Sequence, residues 1–350
     1  MDQTTCYNLT GADRTEMESF VLGLGEKSFR GRQLFSWIYG KNAATFEEMS
    51  DIRKPLRSKL ARVASIGHLH LVDVKFSRHS LTRKYLFRLR DGETIESVLI
   101  PEGKRCTLCL SSQVGCARGC LFCATGSMGL VRQLSAGEIV DQLLCVQRES
   151  GEKVTNVVFM GMGEPFDNYD QVIRAAALIN HSDGIAIGHR RIVISTAGVV
   201  PAIKRYAEEQ QPYRLAVSLN AATDGVRSRL MPIARRWSLE QTFAAILFYA
   251  RRCRRRPTFE YVLIEGINDS PEQALELRRR LAAIPNKLNL IPCNSVDPAF
   301  RRPSPETMAR FIEQLKPLHA PLTVRWSKGE DIRSACGQLS AGYPVTGLKQ

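Results

Sequence analysis

No stretch of the 350-residue chain approaches 18 consecutive apolar residues, which excludes a membrane-spanning helix. The opening residues, MDQTTCYNLT, hold no basic segment leading into an apolar core, so no secretory signal is expected. The expected compartment is therefore the cytoplasm. The six histidines show no ligand spacing, which leaves no histidine-based metal site to expect. Glycine-rich nucleotide loops are missing as well. "GLGEKS" at 23–28 lacks the Gly-Lys-Ser of a P-loop, and "FMGMGEP" at 159–165 is followed by Phe166 where a dinucleotide fingerprint needs its third glycine. Internal repeats and low-complexity stretches are absent. Acidic residues are short in supply, 35 against 49 basic ones, for a net charge of +14. Such a surplus fits a polyanionic partner such as nucleic acid, against the plainer reading of solubility alone.

What is present is a composition of 44% hydrophobic and 24% charged residues, ordinary for a globular protein. The length suggests one large domain with an appendage. Residues 1–66 read as a basic helical accessory domain: "TEMESFVLGLG", "FRGRQLFSWIYGK" and "TFEEMSDIRKPLRSKLARV" carry apolar residues at helical spacing. Between Val21 and Ile66 stand nine Lys/Arg and four Asp/Glu, interleaved with Phe29, Phe35, Trp37 and Tyr39. These aromatics fit the core of a small bundle, and the basic face around them is where RNA would dock. Residues 67–101 alternate like short antiparallel strands around an Asp91-Gly92 turn, a small β-element linking two domains. From 102 to 340, six strand-like runs each lead into a helical pattern, which predicts parallel βα units in an α/β barrel or open sheet. Functional groups in such folds gather at the C-terminal ends of the strands.

Ten cysteines in a reducing compartment point to metal or redox chemistry rather than structural disulfides. Three of them crowd "GCARGCLFCATG" at 115–126. A structural zinc would want four ligands, which Cys106, Cys109, Cys120 and Cys123 could supply. That choice leaves Cys116 idle, and strand alternation puts Cys106 and Cys109 on opposite faces. A 4Fe–4S cube held by Cys116, Cys120 and Cys123 is the better reading. Three thiolates leave one iron open, as binding a ligand to iron requires.

The C-x₃-C-x₂-C spacing, with Phe122 before the last cysteine, resembles the radical S-adenosylmethionine (radical-SAM) signature. Read together, "ESVLIPE", "CLSSQVGCARGCLFCATG", "FMGMGEP", "ISTAGVVP", "AVSLNAATD", "EYVLIEGIND", "NLIPCN" and "DIRSACGQL" resemble, in this order, the RlmN/Cfr family of radical-SAM RNA methyltransferases. The resemblance covers residues 90–340, and the basic N-terminus is also similar to that family's accessory domain. It implies a partial (β/α)6 barrel that carries one three-cysteine 4Fe–4S cluster and uses S-adenosylmethionine. The cofactor site would be lined by Gly163, Glu164, Ser195, Ser218, Leu219, Asn220 and Asn294. Cys336 matches the cysteine that becomes S-methylated, Cys109 its partner thiol, and Glu96 the proton acceptor. Many relatives have His where Asn220 stands.

The implied reaction consumes two S-adenosylmethionines. One methylates Cys336, and the other yields a radical that takes hydrogen from the S-methyl group. The resulting carbon radical joins the adenine, a base removes the ring proton, and Cys109 releases product as a Cys109–Cys336 disulfide. "MGMGEP" with Pro165 looks more like the C2-methylating branch, whose substrates are 23S rRNA and tRNA beside the anticodon, than the C8-methylating Cfr branch. A reducing electron donor such as flavodoxin, a monomeric state and no membrane partner complete the expectation. The rival from another class is an RNA-binding iron–sulfur redox sensor, which would need none of Cys109, Cys336 and Glu96. The other cysteines read as structural or incidental. "RRCRRR" at 251–256 closes a helix and favours its negative end.

Overall fold

The computed structural model describes residues 6–341. Its first part is the small helical unit. β1 (Tyr7–Asn8) pairs in parallel with β2 (Ala64–Ser65), so the unit begins and ends at one place. Between them the helix Arg14–Gly23 starts at a capping box, in which Asp13 and Glu16 satisfy each other's backbone N–H groups. A second helix, Phe29–Phe35, passes directly into a π-helical turn, Ser36–Gly40. Phe35, Ile38 and Tyr39 are buried with Met17 and Val21, which makes these aromatics core. The helical run expected from Thr45 starts only at Lys54. Upstream, the Glu48 carboxylate accepts from the Ala44 and Thr45 N–H groups and from the Thr45 hydroxyl, a local alternative to helix. Pro55 then sits in the first turn, where its missing N–H costs nothing.

The antiparallel strands β3 (His70–Phe76), β4 (Arg83–Arg88) and β5 (Thr94–Glu102) follow in order. They are not a separate linker. β5 pairs antiparallel with β6 (Arg105–Cys109), so the element continues the main sheet. Ile95 to Leu99 are buried without a break, which suits a strand covered on both faces and not an edge. β7 (Gln113–Cys116) and β8 (Gly129–Gln133) form a separate hairpin framing the cysteine loop.

The remaining strands are β9 (Asn156–Phe159), β10 (Ile192–Thr196), β11 (Arg214–Ser218), β12 (Thr258–Leu263), β13 (Lys287–Pro292) and β14 (Leu322–Val324). β6 and β9 to β14 run parallel in sequence order, with helices between most of them. Six were expected; β14, only three residues long, adds a seventh at the edge. The large sheet is ten strands wide with β3 and β14 as its two edges, an open partial barrel. Continuous apolar runs such as Ile192–Ile194 and Leu215–Val217 read as parallel strands covered on both faces. Among the described residues no helix is long and apolar enough to cross a membrane.

Candidate active site

One cavity lies at the C-terminal ends of β9 to β13. Its wall carries Cys116, Cys120, Cys123, Gly163, Glu164, Ser195, Ser218, Asn220, Asn294 and Cys336. Leu219, Cys109 and Glu96 are not on that wall. Residues far apart in sequence therefore meet where a parallel sheet gathers its functional groups.

The cysteine loop runs from β7 into a short helical turn, Ala124–Ser127. It is fixed by backbone bonds: Leu121 N–H donates to Leu230 O at 3.0 Å, and Cys123 N–H to Cys120 O at 3.1 Å. Burial pushes the Cys116 thiol up to about 12 and also raises Cys120 and Cys123. Each raises at least one of the others' titrations or feels it, which marks the three as near neighbours. Among the described residues no three His, Cys, Asp or Glu side chains converge on the position of a single ion. A cube offers a separate iron to each cysteine, so its ligands stand around it rather than closing on one point. Three half-buried thiols on one wall fit such a cluster, whose irons would hold them as thiolates. Arg118, in the same loop, lines the cavity and pairs with Asp167, with Nε donating to Oδ2 at 2.6 Å.

Gly163 stands at φ +101°, and a Cβ there would come within 2.6 Å of Gln113 Cβ. Only glycine fits. Beside it, Glu164 is buried with both oxygens directed by backbone. Oε1 accepts from Phe166 N–H at 2.9 Å and Oε2 from Ala197 N–H at 2.7 Å. Each oxygen keeps a second lone pair for a ligand cation. Burial pushes the Glu164 carboxyl up to about 7, against the pull of those two N–H groups. The ionised form thus costs stability above the ordinary carboxyl range near 4.5. Stability is greatest below that value and is lost as pH rises through about 7. Relative to Glu164→Gln, the unliganded wild type is expected to lose about 2–3 kcal/mol between pH 5 and 8. Paired thermal unfolding curves across that range measure it; parallel pH profiles would contradict it.

Ser195 is the penultimate residue of β10 and Ser218 the last of β11, both on the wall. Leu219 turns its side chain into the core, away from the wall, and its backbone is spent within the protein, the N–H donating to Glu260 O at 2.9 Å and the carbonyl accepting from Arg227 Nε. Asn220 is buried at φ +56°, a conformation Asn tolerates better than most residues. Its Oδ1 accepts from Val262 N–H at 2.9 Å, so the side chain also ties the loop to β12. Asn294 donates through Nδ2 to Cys336 O at 3.2 Å, while its buried Oδ1 has no partner.

Cys336 is open to the cavity, yet the protein around it pushes the thiol up to about 11, through burial first and Glu260 second. Cys109 is fully enclosed just behind the wall; burial and then Cys336 raise its thiol. The Cys336 thiol is close enough to act electrostatically on Cys109, and both are free. The segment carrying Cys336 is fastened on several sides. Gly337 O accepts from Ala124 N–H at 2.7 Å, and Leu339 O from the Thr125 hydroxyl at 2.7 Å.

Glu96 supplies the third fastening. Its Oε1 pairs with Lys84 Nζ at 2.9 Å, and its Oε2 accepts from the N–H groups of Ser340 and Ala341 at 2.9 and 3.1 Å. Both oxygens are engaged away from the cavity wall. In this geometry Glu96 holds the Cys336 segment through Oε2, while Oε1 belongs to Lys84.

Two buried groups escaped the sequence reading. Arg227 is completely buried, donating to Leu219 O at 3.2 Å and Ala197 O at 2.7 Å, and burial pulls it down to about 10. Glu260 lies on the wall within "FEYVL", and a lone acid in an otherwise apolar strand was the available signal.

Residues 7–66 match the ribosomal RNA large subunit methyltransferase N-terminal domain, and residues 110–278 match the radical SAM superfamily. The chain is 48% identical to the dual-specificity RNA methyltransferase RlmN of Syntrophobacter fumaroxidans, over 94% of this chain and 96% of that one. It is 47% identical to the dual-specificity RNA methyltransferase RlmN of Geobacter sulfurreducens, over 96% and 92%. The crystal structure of a radical SAM methyltransferase from Sphaerobacter thermophilus is similar throughout, with a TM-score of 0.92 and 43% identity over 96% of this chain and 99% of that one.

Proposed function

Since the chain belongs to the RlmN family of radical-SAM RNA methyltransferases, we propose that it methylates C2 of one adenosine in 23S rRNA and of one beside the anticodon in tRNA. The observation that carries this reading is Cys336 on the cavity wall beside the three-cysteine loop, with Cys109 off the wall and electrostatically coupled to it. Cys116, Cys120 and Cys123 would hold the 4Fe–4S cluster. Gly163, Glu164, Ser195, Ser218, Asn220 and Asn294 would hold S-adenosylmethionine. Together these groups supply, when bound, abstraction of hydrogen from an unreactive methyl group.

The chain's own residues do the rest. Glu164 offers its free lone pairs to an ammonium, and Gly163 lets backbone approach it. Cys336 carries the methyl group to the adenine. Glu96 and Lys84 hold the segment that presents it. Cys109, shielded from solvent, attacks the sulfur of Cys336 and frees the methylated base as the two cysteines join. The protein would work in the cytoplasm as a monomer, with flavodoxin or a similar reductant as electron donor. Mass spectrometry of adenosines from rRNA and tRNA treated with the reconstituted protein tests this. 2-Methyladenosine in both supports it; 8-methyladenosine, or no methylation, overturns it.

The helical unit of residues 7–66 would supply affinity for RNA. Lys27, Lys54 and Arg62 are exposed on it. Replacing all three by Gln is expected to weaken RNA binding and to lower the slope of log K against log salt by up to about two units. Binding titrations at several salt concentrations give the slope, and an unchanged value would remove this surface from the interface.

A further inference from the structure

We infer that Glu260 is a further cofactor-binding residue, its free carboxylate oxygen taking one ribose hydroxyl of S-adenosylmethionine while Ser218 beside it takes the neighbouring one. The inference rests on the reading that the cavity binds S-adenosylmethionine.

Glu260 is 5% exposed and lies on the cavity wall. Its Oε1 accepts from Asn289 Nδ2 at 2.8 Å, but its Oε2 is buried with no hydrogen-bond partner. A buried, unpaired carboxylate oxygen is costly, so its partner is to be sought in what fills the cavity. Burial pushes this carboxyl up, and Arg325 offsets part of that without bonding to it. A ligand must therefore bring a donor.

S-adenosylmethionine brings three kinds of donor. Its ammonium is matched by Glu164, whose two oxygens are already oriented by backbone N–H groups. Its adenine edge and ribose diol remain. Register decides between them. Ser218 of β11 and Glu260 of β12 are direct partners in the parallel ladder, and both line the cavity. Such neighbours stand about 5 Å apart at Cβ, close enough for a hydroxyl and a carboxylate to address adjacent hydroxyls of one sugar. Carboxylates serve the same purpose on the ribose of dinucleotides.

The test is equilibrium binding to the reconstituted, unreduced protein, so that no turnover intervenes. Dissociation constants are measured calorimetrically for S-adenosylmethionine and for its 2′-deoxy and 3′-deoxy analogues. Wild type is expected to bind each deoxy analogue about tenfold or more weaker than the parent. Glu260→Leu should bind the parent weaker by a similar factor and no longer discriminate against one analogue. Leucine has no polar atom to offer either hydroxyl, whereas a glutamine amide could still donate to a hydroxyl oxygen. Ser218→Ala should lose discrimination against the other analogue. Because each comparison is made within one protein, general damage to the variant cancels. Discrimination that persists unchanged in Glu260→Leu overturns the inference. A wild type that fails to bind S-adenosylmethionine at all overturns the proposed function instead, a separate outcome.

Discussion

Cys109→Ala is expected to stop after one encounter with RNA, bound covalently to it through Cys336. Cys109 lies behind the cavity wall, electrostatically coupled to the Cys336 thiol but away from the surface that receives cofactor and substrate. Removing it should leave methyl loading and attack on adenine intact, and deny only the release step. Cys336→Ala should fail earlier, with no methylated cysteine and no adduct. Denaturing electrophoresis of labelled RNA after incubation with each variant separates the cases. Normal turnover by Cys109→Ala, or an adduct from Cys336→Ala, would falsify the division of roles. The two cysteines stand more than two hundred positions apart, so no local metal loop predicts either result.

Replacing Cys116, Cys120 or Cys123 by Ala should remove both iron and methylation. Anaerobic reconstitution of the wild type is expected to give about four irons per chain, the stoichiometry of one cube. Two thiolates cannot hold the cluster and leave a single iron open, so the loss should be near total rather than graded. The same substitution at Cys106, which lies on β6 opposite Pro101 of β5 and off the cavity wall, should leave iron content unchanged. Stoichiometric zinc in an active protein without an iron requirement is the result that sinks the cluster.

Much of this site was readable because its chemistry is carried by side chains at fixed local spacing. Cys116, Cys120 and Cys123, and the Gly163-Glu164 pair, are each contained in one loop, so a short stretch of sequence sufficed. The C-terminal-end rule then brought Ser195, Ser218 and Asn294 to the same wall without any knowledge of contacts. What resisted reading depends on partners. The continuity of β3 to β5 with the main sheet is a pairing between strands, and alternation within each strand does not say which neighbour it takes. Glu96 shows the same limit. Its identity said carboxylate, but only the Lys84 ammonium and two backbone N–H groups show where each oxygen is spent. Asn220 illustrates a third case, since its positive φ and its bond to Val262 are properties of the folded loop.

The fastening of the Cys336 segment has a consequence for how the molecule is made. Its contacts reach back to Glu96, Ala124 and Thr125, across more than two hundred residues of chain. Contacts so distant carry the largest loop-closure cost and form late. During synthesis the cysteine loop and its surrounding strands emerge well before Cys336. A nascent chain can thus assemble most of the pocket wall well before Cys336 arrives to complete it. Closure of the pocket therefore waits for the Cys336 segment, which acts as its latch.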